Sequence, residues 1–283
     1  MQQAVIAVAL LAPLEKRNSS AVLNRLKQIP PQTNAPARKS LLYVLGSIGD
    51  KAALPVLVDA LKDTTAGIKT AALNALSEWP SAEPGEHLLA VSERSPNKTH
   101  QILALRGFVR LLRFESDRPS PDTIKKFRRA LELAANAEEQ KMILGWLADV
   151  KALEAMDLAM VSMKNAALRA EAEMAAVKIA GAVSGSYPSE TRTRLQHILQ
   201  SATEDTLAHL QQARAVLQQI ERFDDFMTQW LVSGPYVNPD ENVFDFAFPP
   251  EQAGQKKIKW QIMSASMNAN APWLLDLVSV FVC

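Results

Sequence analysis

Apolar positions recur along this chain on two scales, that of the helical turn and that of a longer unit. With Ile48 as zero point, Leu14, Trp79, Phe114, Val150 and Ala182 occupy equivalent places, 31 to 36 residues apart. Three residues before each anchor stand Leu11, Leu45, Leu76, Leu111, Leu147 and Ile179. Six before stand Val8, Leu42, Leu73, Phe108, Leu144 and Ala176, and seven before, mostly small, Ala7, Leu41, Ala72, Gly107, Ile143 and Ala175. Such offsets fall on one stripe of an α-helix. A helical stripe that returns at a nearly fixed period predicts stacked helical repeats, each burying its apolar face against its neighbours.

The pattern predicts five helix pairs or part-pairs up to about Val183. First helices span roughly 20–29, 52–61, 85–93, 122–134 and 152–163; second helices span 37–48, 68–79, 99–114, 138–150 and 166–182. Pro55, Pro84, Pro121 and Pro188 stand near the starts of first helices, where a missing N–H has no intrahelical partner to lose. Ser120-Pro121-Asp122 reads as an N-cap, a first-turn proline and a first-turn acid. Gly49 is placed to close a helix in the left-handed conformation, and the small row through Gly107 predicts a close helix–helix approach. Two further helices, about 190–201 and 204–222, follow the break at Gly185-Ser186-Tyr187-Pro188; the second carries a stripe of Leu207, Leu210, Ala213, Leu217 and Ile220.

Leu54-Pro55-x-Leu57, Leu61-Lys62-Asp63 and Ile68-Lys69-x-Ala71-Ala72-x-x-Ala75-Leu76 resemble the HEAT-like repeat family, as does the helix from Ala167-Leu168-Arg169 to Ile179. The resemblance covers roughly residues 1–183. It implies an all-α solenoid of antiparallel helix pairs stacked into a curved rod, with second helices on the inner face. The family is chiefly one of interaction scaffolds, with a few enzymes among its members.

Composition changes after Arg222. Of the 17 Phe, Trp and Tyr residues, ten lie beyond it, and acids outnumber bases 7 to 3 there, whereas bases lead before it. Ile258, Trp260 and Ile262 alternate with Lys257, Lys259 and Gln261, the period of a half-buried strand. Phe226–Val232 and Phe244–Phe248 are also expected to be extended. Trp230-Leu231-Val232-x-Gly234-Pro235-Tyr236, Phe244-Asp245-x-x-Phe248-Pro249-Pro250-Glu251, Trp260 and Trp273-x-x-Asp276-Leu277 resemble the opening of a β-sandwich module. That module follows HEAT-like repeats in large extracytoplasmic bacterial proteins, often ones with sugar-related domains. The expected organisation is therefore a solenoid over 1–222 and a short, incomplete β segment over 223–283. An extracytoplasmic location and any carbohydrate contact rest on this resemblance alone.

Net charge is +1, which points to neither nucleic acid nor an acidic substrate as a bulk partner. One cysteine, Cys283, excludes an intrachain disulfide framework and a cysteine metal cluster. The apolar run at residues 4–12 lacks a basic n-region and a small-residue cleavage site, and it falls in repeat register, so it reads as a repeat helix rather than a signal peptide. Its missing partner helix, and the apolar end at Val280-Phe281-Val282-Cys283, lead to the expectation of a chain taken from within a longer protein. No transmembrane segment is expected.

Candidate chemistry is sparse. His87, His100, His197 and His209 show no metal-ligand spacing and read as surface or capping residues. There is no glycine-rich phosphate loop and no Gly-x-Ser-x-Gly elbow. Glu138-Glu139 and Glu171/Glu173 read as solvated helix faces. In Lys125-Lys126-Phe127-Arg128-Arg129, Phe127 is expected to point inward while the cations face solvent; no aromatics interleave as a nucleic-acid track requires. The one candidate binding feature is a ridge of Lys39, Lys69, Arg106 and Lys141, eight to ten residues before their anchors. The expected function is a non-catalytic scaffold, without cofactor or metal, that recognises a protein or peptide along the solenoid groove. The alternative is the accessory region of a larger extracytoplasmic sugar-acting enzyme. A third reading, a HEAT-like tetrapyrrole lyase or DNA glycosylase, needs an acidic or nucleophilic pocket residue that the sequence does not single out.

Overall fold

A computed structural model describes residues 17–30, 34–115, 119–201, 207–222, 229–234, 236, 248–252 and 258–264. The repeat unit at Leu14, the residues Phe246, Trp273 and Cys283, and the start of the helix expected from 204 lie outside them.

Twelve α-helices among the described residues form six consecutive pairs. These are α1 (Ser20–Gln28) with α2 (Ala35–Ile48), α3 (Leu54–Ala60) with α4 (Ala66–Ser77), α5 (Gly85–Arg94) with α6 (Lys98–Leu112), α7 (Pro121–Leu133) with α8 (Ala137–Leu147), α9 (Leu153–Ser162) with α10 (Arg169–Val183), and α11 (Pro188–Ser201) with α12 (Leu207–Arg222). Most helices run 7 to 16 residues, at or below the length that holds alone in water, so packing must stabilise them. Each second helix lies on the next: α2 on α4, α4 on α6, α6 on α8, α8 on α10 and α10 on α12. The result is an all-α solenoid of antiparallel helix pairs with one continuous core.

The predicted stripe is that core. Leu45, Leu76, Leu111, Leu147 and Ile179 are all fully buried, as are Leu42, Leu73, Phe108, Leu144 and Ala176. Two anchors leave it. After Leu112 the chain tightens into a 3₁₀ turn, Arg113–Glu115, whose three residues per turn rotate Phe114 off the stripe. Phe114 is consequently exposed, and its ring receives the Arg113 guanidinium at 5.0 Å from the centroid. In α10 the buried place falls to Val183, and Ala182 faces out.

Each second helix from α2 to α10 is entered through an Asn or Asp side chain. Asn34 accepts from the Ala37 amide, Asp63 from Thr65, Asn97 from Thr99 and His100, Asn136 from Glu139, and Asn165 from Ala167. Asn34, Asn97 and Asn136 thereby satisfy N–H groups that a helix start leaves without partners, while Asp63 and Asn165 close the turn just before the helix. On α7, Ser120 and Thr123 form the reciprocal capping box with Pro121 in the first turn.

The first turn joins two repeats. Gly49 closes α2 at φ +70°, the left-handed conformation. Asp50 then accepts from the Ala52 amide on one oxygen and from both the amide and hydroxyl of buried Ser19 on the other, at 2.7 to 3.0 Å. Burial pushes the Asp50 carboxyl up, but these hydrogen bonds outweigh it and hold it below the usual carboxylate range. The expected close approach is at Gly107: a Cβ there would overlap Ser77 Oγ of α4 and lie 2.6 Å from its Cβ. Gly46 meets Ala75 of α4 in the same way.

Beyond α12, two short strands, β1 (Gln229–Val232) and β2 (Gln261–Ser264), pair antiparallel with Trp230 opposite Met263 and Leu231 opposite Ile262. The Tyr236 and Phe248 rings stand 5.9 Å apart beside them. Leu231 is 63 % exposed and Trp260 50 % exposed.

Candidate functional site

The stacked second helices place all four ridge residues on one series of helices, in two different states. Lys39 on α2 is exposed, its ammonium end lying over Gly67 at the start of α4. Lys69 on α4 is half-buried, with no acid against its ammonium among the described residues. Arg106 and Lys141 are bound to acids of neighbouring turns. Arg106 of α6 grips both carboxylate oxygens of Glu139 on α8, with Nε at 3.1 Å from one of them. Lys141 reaches Glu138 at 3.1 Å and Glu171 of α10 at 3.8 Å. Hydrogen bonding to Glu139 raises the Arg106 pKa, and Glu138 followed by Glu171 raises that of Lys141.

These pairs belong to a wider set of clamps. Arg110 of α6 binds Glu78 at the end of α4 at 2.9 Å, and its other nitrogen donates to the Ser77 carbonyl. Lys178 of α10 binds Asp149 after α8 at 2.5 Å. Thr70 of α4 and His100 of α6 share a hydrogen bond at 3.0 Å. On the first helices, Arg129 of α7 binds Glu93 of α5, and Arg194 of α11 makes a two-toothed contact with Asp157 of α9 at 2.7 and 2.9 Å. Apart from Lys141 with Glu138, three residues away on its own helix, every such pair joins residues about one repeat apart in sequence.

Three expectations are corrected here. His100 is buried and bridges two repeats, because the solenoid brings Thr70 onto its ring. Glu139 is only 5 % exposed, because Arg106 closes over it. Glu173 on α10 is fully buried, and neither carboxylate oxygen finds a hydrogen-bond partner. That is an expensive placement for a carboxylate. In the 125–129 cluster, Phe127 is buried as expected. Lys126 binds Glu115, Lys125 binds Asp122 and Arg129 binds Glu93, whereas Arg128 has no acidic partner among the described residues.

Large apolar side chains remain uncovered on the second-helix series, Tyr43 on α2 and Met174 on α10, with the bare backbone of Gly145 on α8 between them. Cavities open elsewhere among the described residues. One, about 530 Å³, lies between α1, α2 and α3 over Leu23, Leu26, Leu42 and Val56, with the Arg38–Asp63 pair at its edge. Another, about 440 Å³, lies between α7, α9 and the head of α11. Among the described residues no three His, Cys, Asp or Glu side chains gather to hold a metal ion. No described helix is long and apolar enough to cross a membrane.

No family model matches the sequence, and no curated protein matches it. Solved structures do. An engineered protein is 17 % identical, matched over 71 % of this chain and 97 % of its own with a TM-score of 0.41. Human deoxyhypusine hydroxylase, solved with glycerol, is also 17 % identical, matched over 77 % of this chain and 96 % of its own with a TM-score of 0.27.

Proposed function

We propose that this chain is a non-catalytic HEAT-like scaffold that recognises a protein or peptide along its second-helix face. The observation that carries the reading is the rank of second helices locked to one another by ion pairs while Tyr43 and Met174 stay uncovered. A surface held rigid before binding loses little entropy on meeting its partner, and exposed aromatic and Met side chains are the types enriched in interface cores. In this reading the row Lys39, Lys69, Arg106 and Lys141 contacts anionic groups of the partner. Lys39 and Lys69 act directly, and Arg106 and Lys141 through whichever charge their acid partners leave unmet.

The test is selection of binding peptides from a random phage-displayed library against the folded chain. Selected peptides should lose binding to a Tyr43→Glu/Met174→Glu chain and keep it to Val161→Glu, an exposed position on first helix α9. A library that yields no peptide sensitive to the Tyr43 and Met174 changes overturns the reading.

A second reading has its own support in the β1–β2 ribbon. Its two strands are joined through a long connection, and Leu231 and Trp260 stand exposed beside it. We infer that residues 223–283 are the opening of a β-sandwich module in an extracytoplasmic sugar-acting protein, the solenoid being its accessory region. Retention of the chain on immobilised polysaccharides, lost on Trp260→Ala, is the expected result; equal retention of both chains removes the sugar contact.

A further inference from the structure

The size of one side chain per repeat sets how closely the second helices approach. Seven residues before the anchor, α4, α6 and α10 carry Ala72, Gly107 and Ala175. Gly107 lets α6 settle onto Ser77 of α4. On α8 the same place holds Ile143, which is fully buried. A larger side chain at a helix contact keeps the two axes farther apart. Accordingly α8 lies less closely on α6 than any other second helix lies on the one before it.

The seam between the α5–α6 and α7–α8 pairs is also incompletely filled. A cavity of about 110 Å³ remains in it, lined by Ser92 of α5, Ile102 and Leu105 of α6, Leu133 of α7 and Glu139 of α8. Atoms that border a void forfeit dispersion contacts, so this junction resists displacement less than a close-packed one.

Charge spans the seam on both faces of the rod. On the second-helix face Arg106 of α6 holds Glu139 of α8. On the first-helix face Arg129 of α7 holds Glu93 of α5 at 2.8 Å, and Lys126 of α7 stands 4.0 Å from Glu86 of α5. Arg106 is 54 % exposed and Arg129 46 %, so dissolved salt reaches and weakens both pairs. The α4–α6 seam differs, since its backbone contact at Gly107 does not depend on charge.

We propose that the seam between the α5–α6 and α7–α8 pairs is a hinge of the rod, latched in one curvature by Arg106–Glu139 on one face and Arg129–Glu93 on the other, and freed when those pairs are screened. The motion is a small slide of α8 on α6, which packed helices permit without unfolding. Tyr43 and Met174 stand on opposite sides of the seam, so bending here changes the spacing of the face proposed above. That consequence rests on the second-helix reading; the hinge itself does not.

The experiment is pulsed electron–electron distance measurement between pairs of spin labels on the full chain, with Cys283→Ser removing the one native thiol. All labelled positions are exposed, and each pair spans two junctions. His87→Cys with Val161→Cys, on α5 and α9, includes the seam. Asn24→Cys with His87→Cys, on α1 and α5, and Arg128→Cys with His197→Cys, on α7 and α11, lie on either side of it. The pair across the seam should give the broadest distance distribution. Its mean should move by about 2 Å, the scale of helix shifts at packed interfaces, between about 50 and 500 mM salt. Arg106→Gln/Arg129→Gln should produce the same movement at low salt, and the flanking pairs should stay fixed throughout. Equal widths for all three pairs, or a flanking pair that moves as much, overturn the hinge. A seam distance that neither salt nor the double variant changes overturns the latch, and the salt series decides that on the parent pairs even where the double variant is unstable.

Discussion

Single residues set where this solenoid is tight and where it is loose. At Gly107 the neighbouring helix stands where a side chain would begin, so Gly107→Leu should lower stability by about 1–3 kcal/mol through overpacking. Gly145, also within a second helix, has nothing within 4 Å of its would-be Cβ. Gly145→Ala should raise stability by about 0.5–1 kcal/mol by restricting the unfolded chain and favouring helix. Thermal melts of the two variants should move in opposite directions. Glu173 is the other outlier. An isosteric apolar residue removes a buried carboxylate that nothing satisfies, so Glu173→Met should stabilise by about 1–3 kcal/mol. A lower melting temperature would mean that the carboxylate has a partner in the folded protein.

Asp50 acts at the same scale. Its folded pKa is depressed, so its contribution is fully present above the unfolded value of about 3.9 and is lost as pH falls through the folded value. Asp63, held low chiefly by the Thr65 amide, then by the Thr65 side chain and Arg38, adds in the same sense. Asp50→Ala should therefore cost about 1–3 kcal/mol near neutral pH and shrink the loss of stability below about pH 4. Urea titrations at pH 7 and pH 3 of both chains measure this. A variant that tracks the parent at both values would show that the Ser19 link is inconsequential.

At the scale of elements, the helices are short and the clamps between them carry order along the rod. The Arg106–Glu139 contact is charge-assisted and two-toothed, but Arg106 is more than half exposed, which limits its worth. A double-mutant cycle with Arg106→Ala and Glu139→Ala should return a coupling of about 1 kcal/mol. A coupling indistinguishable from zero would make the ion pair a passive neighbour of the α6–α8 packing.

For the whole molecule, the decisive contrast is between the stacked helices and the ribbon after them. A two-stranded ribbon with exposed Leu231 and Trp260 is weak on its own. Limited proteolysis should cut the chain beyond Arg222 first, and a chain ending at Arg222 should melt within a few degrees of the parent. Early cleavage within α4–α10, or a tail that survives while the helices are digested, would reverse this order.

The periodic stripe was enough to determine the solenoid, its pairing and most helix limits, because a helix of 3.6 residues per turn must place offsets of three and four on one face, whatever covers it. Proline, serine and Gly49 likewise act through local backbone geometry. The Asn and Asp entries stand in the sequence without declaring themselves, since capping depends on which amide each side chain reaches. The clamps had a legible sign, opposite charges about one period apart, as in Arg106 with Glu139 and Lys178 with Asp149. Whether such charges meet depends on how far each helix slides on the last, and that is a property of packing. For the same reason only the tertiary structure decided that Glu139, Glu173 and His100 are buried and that Phe114 leaves the core.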